Sequence, residues 1–145
     1  MTATEGTGLL DTNLVIDLAR VSPDDLPEVP IISTITLAEL SVGPLVSTDP
    51  SERARRQQVL QLAEASFDPL PFDAAAARAF GAVAASLRAS GRKPAARGYD
   101  ALIAAVAISQ DIPLHTANPD DFAHIGGLDL RPVRRAGAAT STEQE

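Results

Sequence analysis

Leu9-Leu10-Asp11-Thr12-Asn13-Leu14-Val15-Ile16-Asp17-Leu18 is the stretch that decides the fold. A short apolar run ends on a carboxylate, a hydroxyl and an amide, and Leu14, Val15, Ile16 and Leu18 then follow at the spacing of a buried helix stripe. The stretch reads as strand, polar turn, helix. In an open α/β sheet ligands bind outside the carboxyl ends of the strands, which places Asp11 in the crevice where chemistry is done. The competing reading is that Asp11 or Thr12 merely caps the helix by accepting a backbone N–H.

Outward from this stretch, strand and helix patterns alternate. Residues 22–30, with three prolines and Asp24-Asp25, end the first helix. Val29, Ile31 and Ile32 make a short strand, and Thr34 or Thr36 caps a helix that stops at Gly43-Pro44. Ser51-Glu52 opens a helix with a basic first half, and two prolines within residues 67–72 leave room only for a short edge strand. Asp73 caps an alanine-rich helix carrying Phe80, Val83, Ala84 and Leu87 at helical spacing. Residues 99–108 are apolar on nearly every side, as in a helix buried between neighbours. Leu114-His115-Thr116 is a strand ending on a hydroxyl, Asn118 to Phe122 begin a helical turn, and residues 128–133 alternate as a final strand. Residues 1–135 are expected to form one domain, and residues 136–145, which lack apolar side chains to pack, a disordered tail. The class is α/β, with a central, mostly parallel sheet and helices on both faces.

Composition narrows the chemistry. With no cysteine, disulfides, thiolate zinc sites and cysteine nucleophiles are excluded. The N-terminus shows no targeting pattern, and the apolar run at 101–108 is far too short to span a bilayer, so a soluble, cytoplasmic protein without membrane partners is expected. A net charge of −7, from 19 acids against 12 bases, argues against a nonspecific grip on a phosphate backbone. The bases are clustered: Arg53, Arg55 and Arg56; Arg88, Arg92, Lys93 and Arg97; Arg131, Arg134 and Arg135. Each cluster reads either as solvated surface or, should the substrate be polyanionic, as phosphate contacts, with Arg92, Lys93 and Arg97 the first choice.

The acids carry the argument. On the expected sheet, Asp11 and Thr116 lie at strand ends, and Asp100 and Asp121 open the helices after nearby loops. Glu39, between Leu37, Ala38 and Leu40, is either drawn inward from its helix or left on a solvated stripe. Asp100 could equally serve as a helix cap. Four converging acids repel one another, and a divalent cation makes the cluster tolerable. Oxygen ligands favour Mg²⁺ or Mn²⁺, whose chemistry is attack of activated water on phosphorus. His115 and His124 lack the spacing of a metal helix and read as structural or solvated.

Leu9-Leu10-Asp11-Thr12-Asn13, Thr36-Leu37-Ala38-Glu39-Leu40 with Gly43, Tyr99-Asp100-Ala101-Leu102-Ile103-Ala104, and Thr116-Ala117-Asn118-Pro119-Asp120-Asp121-Phe122 resemble, in order, the four acidic motifs of PIN-domain nucleases, and more narrowly of VapC toxins. The resemblance implies a three-layer α/β/α PIN-like fold and a Mg²⁺-dependent endoribonuclease that cuts one structured RNA of the tRNA or rRNA class. It further implies a homodimer neutralised by a cognate VapB antitoxin, which could place an arginine among the acids. Asp11, Glu39, Asp100 and Asp121 take catalytic and metal-holding roles by this resemblance, with Thr12, Asn13, Thr116 and Asn118 arranging the site. Asn118 and Asp120 remain alternatives for the fourth acid, and Asp17 either supports the site or is an exposed helix residue. Two other readings stand beside this one: a phosphoacceptor receiver-like domain, for which Lys93 is the sole lysine, and a non-catalytic acidic docking domain.

Overall fold

Leu9 and Leu10 are neighbours and both fully buried, yet they belong to different cores. Successive side chains leave opposite faces of a strand, so this strand is covered on both sides. In the computed structural model, which describes residues 6–92 and 98–136, it is β1 (Thr7–Leu10). It lies between β2 (Val29–Ile31) and β3 (Leu114–Thr116), and β4 (Leu130–Pro132) pairs with β3, giving the order β2-β1-β3-β4. Every pairing among the described strands is parallel.

Parallel strands need crossovers, and these supply the outer layers. α1 (Thr12–Ile16) follows β1, while α2 (Thr34–Val46), α3 (Pro50–Ser66), α4 (Ala74–Ala89) and α5 (Gly98–Gln110) connect β2 to β3. α4 and α5 pack with Leu9 and Leu114 on one face; α1, α2 and α3 pack with Leu10, Ile32 and Val133 on the other. α5 is the most enclosed, with Ala101 and residues 103–107 buried, as its apolar run requires. The chain leaves β1 on one side for β2 and returns on the other as β3. The ends of β1 and β3 therefore flank a topological switch point, with Asp11 and Thr116 beside it.

Some local expectations change. Ser33, not Thr34 or Thr36, caps α2, its Oγ accepting the Thr36 N–H at 3.2 Å. Thr34 Oγ1 instead accepts the Phe72 N–H at 3.2 Å. α2 also runs through Gly43-Pro44 to Val46. Pro44 removes one helical hydrogen bond, but its ring is buried and the adjacent Gly43 carbonyl accepts from Arg56 of α3 at 3.0 Å, so packing on α3 offsets the loss. Residues 67–72 make no strand; Leu70 forms a single parallel bridge with Ser33, through bonds to Ile32 and Thr34 of 2.9 and 2.8 Å. Pro69 and Pro71 have no N–H with which to extend it.

Asp17 does not serve the strand ends. Arg135 Nη1 donates to its Oδ2 at 2.5 Å, and Arg20 Nη1 stands 4.0 Å from its Oδ1. Arg20 Nη2 donates to the Ala136 carbonyl at 2.7 Å, while the Ala136 N–H donates to the Arg20 carbonyl at 2.8 Å. Asp17 thus fastens the segment after β4 to the end of α1. The expected tail beyond Ala136 lies outside the described residues.

His115 packs against β1. An added Cβ at Gly8 would lie 2.5 Å from His115 Nε2 and 2.9 Å from Pro27 Cβ, so this close approach requires the glycine. Burial, with Arg131 nearby, holds the imidazole below its ordinary pKa of 6.5 against a smaller opposing pull from Asp129. Its role is packing, and His124 is an exposed turn residue at φ 72°. Gly8→Ala is expected to destabilise the chain by about 1–3 kcal/mol, measured as a lower urea midpoint. The effect should shrink in a His115→Ala background, because the two changes share one contact.

Candidate functional site

Asp11 leaves β1 in extended conformation (φ −66°, ψ 152°) and occupies the N-cap position of α1. Its main-chain carbonyl starts the helix, accepting from the Leu14 and Val15 N–H groups at 3.0 and 3.2 Å. Its carboxylate makes no capping bond to α1. Oδ2 instead accepts from Thr116 Oγ1 at 2.9 Å, at the end of β3. Thr116 Oγ1 accepts in turn from the Asn118 N–H at 3.0 Å, and its one hydrogen is committed to Asp11. The capping position is real, but the side chain is spent on the strand ends.

Thr12 forms a second link. Its Oγ1 donates to Glu39 Oε1 at 2.6 Å and lies 2.9 Å from Thr36 Oγ1. A hydroxyl has one hydrogen, so with Thr12 donating to Glu39, Thr36 donates to Thr12. Glu39 is accordingly drawn inward rather than solvated. Thr36 is a site residue that the sequence read as a helix cap. The available signal was its spacing, since Thr36 and Glu39, three apart on α2, share a face.

The electrostatics follow from burial. Asp11 is 2% exposed, and desolvation pushes its carboxyl above the ordinary range; the Thr116 hydroxyl and the Thr12 amide pull it back, and the charge of Asp121 raises it again. Glu39 is raised by burial, lowered by the Thr12 hydroxyl and raised by Asp11. Among the described residues no guanidinium or ammonium pairs with Asp11 or Glu39. Asp121 comes from a 3₁₀ turn (Pro119–Phe122) whose Phe122 is buried in the α4–α5 core. Its neighbour Asp120 is exposed, with its carbonyl accepting from Arg92 Nη1 at 3.3 Å. Asp100 stands partly buried in the first turn of α5. Asn13 is exposed, and with Thr12 and Glu39 it lines a cleft of about 270 Å³. Lys93 and Arg97 lie outside the described residues.

Hydrogen bonds thus join Asp11, Thr116 and the Asn118 N–H in one group and Thr36, Thr12 and Glu39 in another, with the Thr12 main-chain amide at Asp11 between them, and Asp121 acts on Asp11 through its charge. The oxygens gathered here belong to carboxylates and hydroxyls, the set that suits a hard divalent cation. As placed, no three carboxylate or imidazole groups among the described residues stand close enough to hold one. The fit lies in donor chemistry and charge: mutually repelling, buried acids are what a divalent cation relieves.

A family model for the PIN domain matches residues 9–128. Ribonuclease VapC5 of Mycobacterium tuberculosis is 36% identical over 130 residues, covering 88% of this chain and 93% of its own length. The tRNA(fMet)-specific endonuclease VapC of Shigella flexneri is 32% identical over 127 residues, covering 83% of this chain and 92% of its own. Among solved structures, VapBC-5 of Mycobacterium tuberculosis, a member of the VapBC family of toxin-antitoxin systems, is similar with a TM-score of 0.76 at 34% identity, over 89% of this chain and 98% of that one.

The raised Asp11 pKa has a thermal consequence. Below the ordinary value of 3.8 the carboxyl is protonated in both folded and unfolded chains, and its burial carries no charge penalty. As pH rises through the raised folded value, that stability is lost. In EDTA at pH 7, Asp11→Asn should therefore melt about 2–6 °C above the native chain, with the gap closing as pH falls toward 4. Differential scanning fluorimetry across a pH series checks this; a variant that melts lower at pH 7 contradicts it.

Proposed function

The chain belongs to the PIN-domain family, among its VapC ribonucleases, and on that premise we propose that it cuts a structured RNA of the tRNA or rRNA class at the acid cluster with Mg²⁺, for which Mn²⁺ substitutes. The observation that carries this reading is the buried Asp11 carboxylate, fixed by Thr116 and within reach of the charges of Glu39 and Asp121, with no cation paired to Asp11 among the described residues. Asp11, Glu39, Asp100 and Asp121 would hold the ion, which when bound lowers the pKa of water and offsets charge developing on the scissile phosphodiester.

The chain's own residues do the rest. Thr116 orients Asp11 and Thr12 orients Glu39, so each carboxylate is held at one oxygen before substrate arrives. Thr12 takes Glu39 Oε1, leaving Oε2 to accept a proton from the attacking water. Asn13 offers its amide to a phosphate oxygen at the cleft mouth, and the Asn118 amide holds the turn that delivers Asp121. We assign Asp121 rather than Asp120 or Asn118 as the fourth acid, a choice supported by its charge acting on Asp11 and by the exposure of Asp120. Arg92, Lys93 and Arg97 are assigned to flanking phosphates.

The substrate class rests on charge and on kinship. At −7, the chain's overall field repels RNA, so recognition depends on local arginines and on RNA shape. The tRNA-specific name of the Shigella relative favours a tRNA target. The partner is a VapB antitoxin, as the VapBC name of the Mycobacterium structure suggests, and a cation from it between Asp11 and Glu39 would relieve their burial penalty and compete with metal. We assign the working form as a cytoplasmic homodimer; no described helix is long and apolar enough to cross a membrane.

The deciding experiment incubates antitoxin-free chain with total cellular RNA in Mg²⁺, in Mn²⁺ and in EDTA, and maps new 5′ ends. Discrete cuts are expected in either metal, absent in EDTA and reduced about a hundredfold or more in Asp11→Asn and Asp100→Asn. Folded protein that binds no metal and cuts nothing would leave the acid cluster as a docking surface. Labelling by acetyl phosphate would instead favour the receiver-like reading.

A further inference from the structure

The cleft that holds Thr12, Asn13 and Glu39 has another wall, which the acid site does not use. It belongs to α3, where Glu52, Arg55 and Arg56 line the same 270 Å³. Arg55 Nε and Nη2 donate to Glu52 at 3.0 and 2.6 Å, and Arg56 Nε donates to Glu52 Oε1 at 3.1 Å. One carboxylate serves two guanidiniums, which leaves this wall with a net positive charge. The two arginines are not equivalent. Arg56 is also tied through Nη1 to the Gly43 carbonyl at 3.0 Å, whereas Arg55, with its side chain 60% exposed, donates among the described residues only to Glu52, with the charge of Asp17 acting on it from further off. Arg53, the third base of the cluster, is turned away to the Ser47 carbonyl at 2.7 and 3.2 Å. Between the walls lie Ile16 and Val59. Ile16 is 39% exposed although it belongs to the apolar stripe of α1.

We infer that this cleft is a nucleotide subsite, in which Arg55 exchanges Glu52 for an RNA phosphate next to the scissile one while the ribose and base lie against Ile16 and Val59. The inference rests on the ribonuclease reading above, which makes the Glu39 wall the place of cleavage. A phosphate presents the same bidentate acceptor pair to a guanidinium that a carboxylate does, so the exchange keeps the geometry of the fork. Glu52 stays paired with Arg56 when Arg55 leaves, so no charge is stranded. An exposed ion pair of this kind contributes little stability, and its variants therefore report on binding rather than on folding.

The test uses the full antitoxin-free chain in EDTA, where no cutting occurs, with fluorescein-labelled bulk tRNA read by anisotropy over a salt series. Arg55→Ala should weaken binding roughly tenfold at low salt and lower the salt slope by about one. Arg53→Ala, the same charge change on the same helix but outside the cleft, should leave both nearly unchanged. Glu52→Gln should tighten binding, and Ile16→Ser should weaken it without moving the slope. Equal losses in Arg55→Ala and Arg53→Ala would reduce the effect to general charge and overturn the subsite, as would a Glu52→Gln variant that binds as poorly as Arg55→Ala. An Arg55→Ala variant that binds tRNA normally but loses its antitoxin would assign the wall to a protein partner. If the native chain cuts cellular RNA with metal while Arg55→Ala binds normally, the subsite fails and the ribonuclease reading stands. A native chain that neither binds nor cuts RNA overturns both.

Discussion

A carboxylate that water barely reaches, at the end of a strand covered on both faces, is the constraint to which the rest of this structure answers. Asp11 cannot escape to solvent, because β1 lies between β2 and β3 and helices close both sides of the sheet. Burial of a lone charge is expensive, and the fold offsets only part of it through the Thr116 hydroxyl and a backbone amide. The strand order has a direct chemical result. By pairing β3 rather than another strand with β1, the fold places a hydroxyl opposite the acid and leaves two further carboxylates within reach of its charge.

The polar seam from Thr36 through Thr12 to Glu39 joins this point to the outer layer. Its hydrogens run one way, so each member is satisfied only while the others keep their places. The seam ties α1 to α2, and α2 is tied to α3 by the Arg56 bond to Gly43. The acid site and the basic wall of the cleft are therefore fixed by a continuous set of contacts rather than by mobile loops.

Much of this was legible because it is local. The strand, turn and helix at residues 9–18, the enclosed helix at residues 99–108 and the order of the four acidic motifs are all contained in short windows with clear periodicity. What escaped depends on partners far away in sequence. Asp17 is indistinguishable from a surface helix residue until Arg135, 118 positions later, is brought against it. Pro44 reads as a stop signal because its missing N–H is local, while the packing of α2 on α3 that compensates for it is not. Ser33 and Thr36 are equally good caps by residue type; the seam to Thr12 decides between them. Arg53 and Arg55 read alike within one basic cluster for the same reason, and only their acceptors separate them.

The fastening of Ala136 to Arg20 also governs how the molecule gives way under load. Traction on the chain beyond Ala136 meets two bonds between Arg20 and the Ala136 main chain, one of them from the guanidinium, and the Asp17–Arg135 pair before it meets the sheet. Once those yield, the next element in line is β4, an edge strand of three residues, and peeling it strips β3 of its outer neighbour. β3 carries the threonine that aims Asp11. An unfolding machine that pulls from this side would therefore disarm the acid site after a few residues of extraction, while α4, α5 and most of the core were still folded.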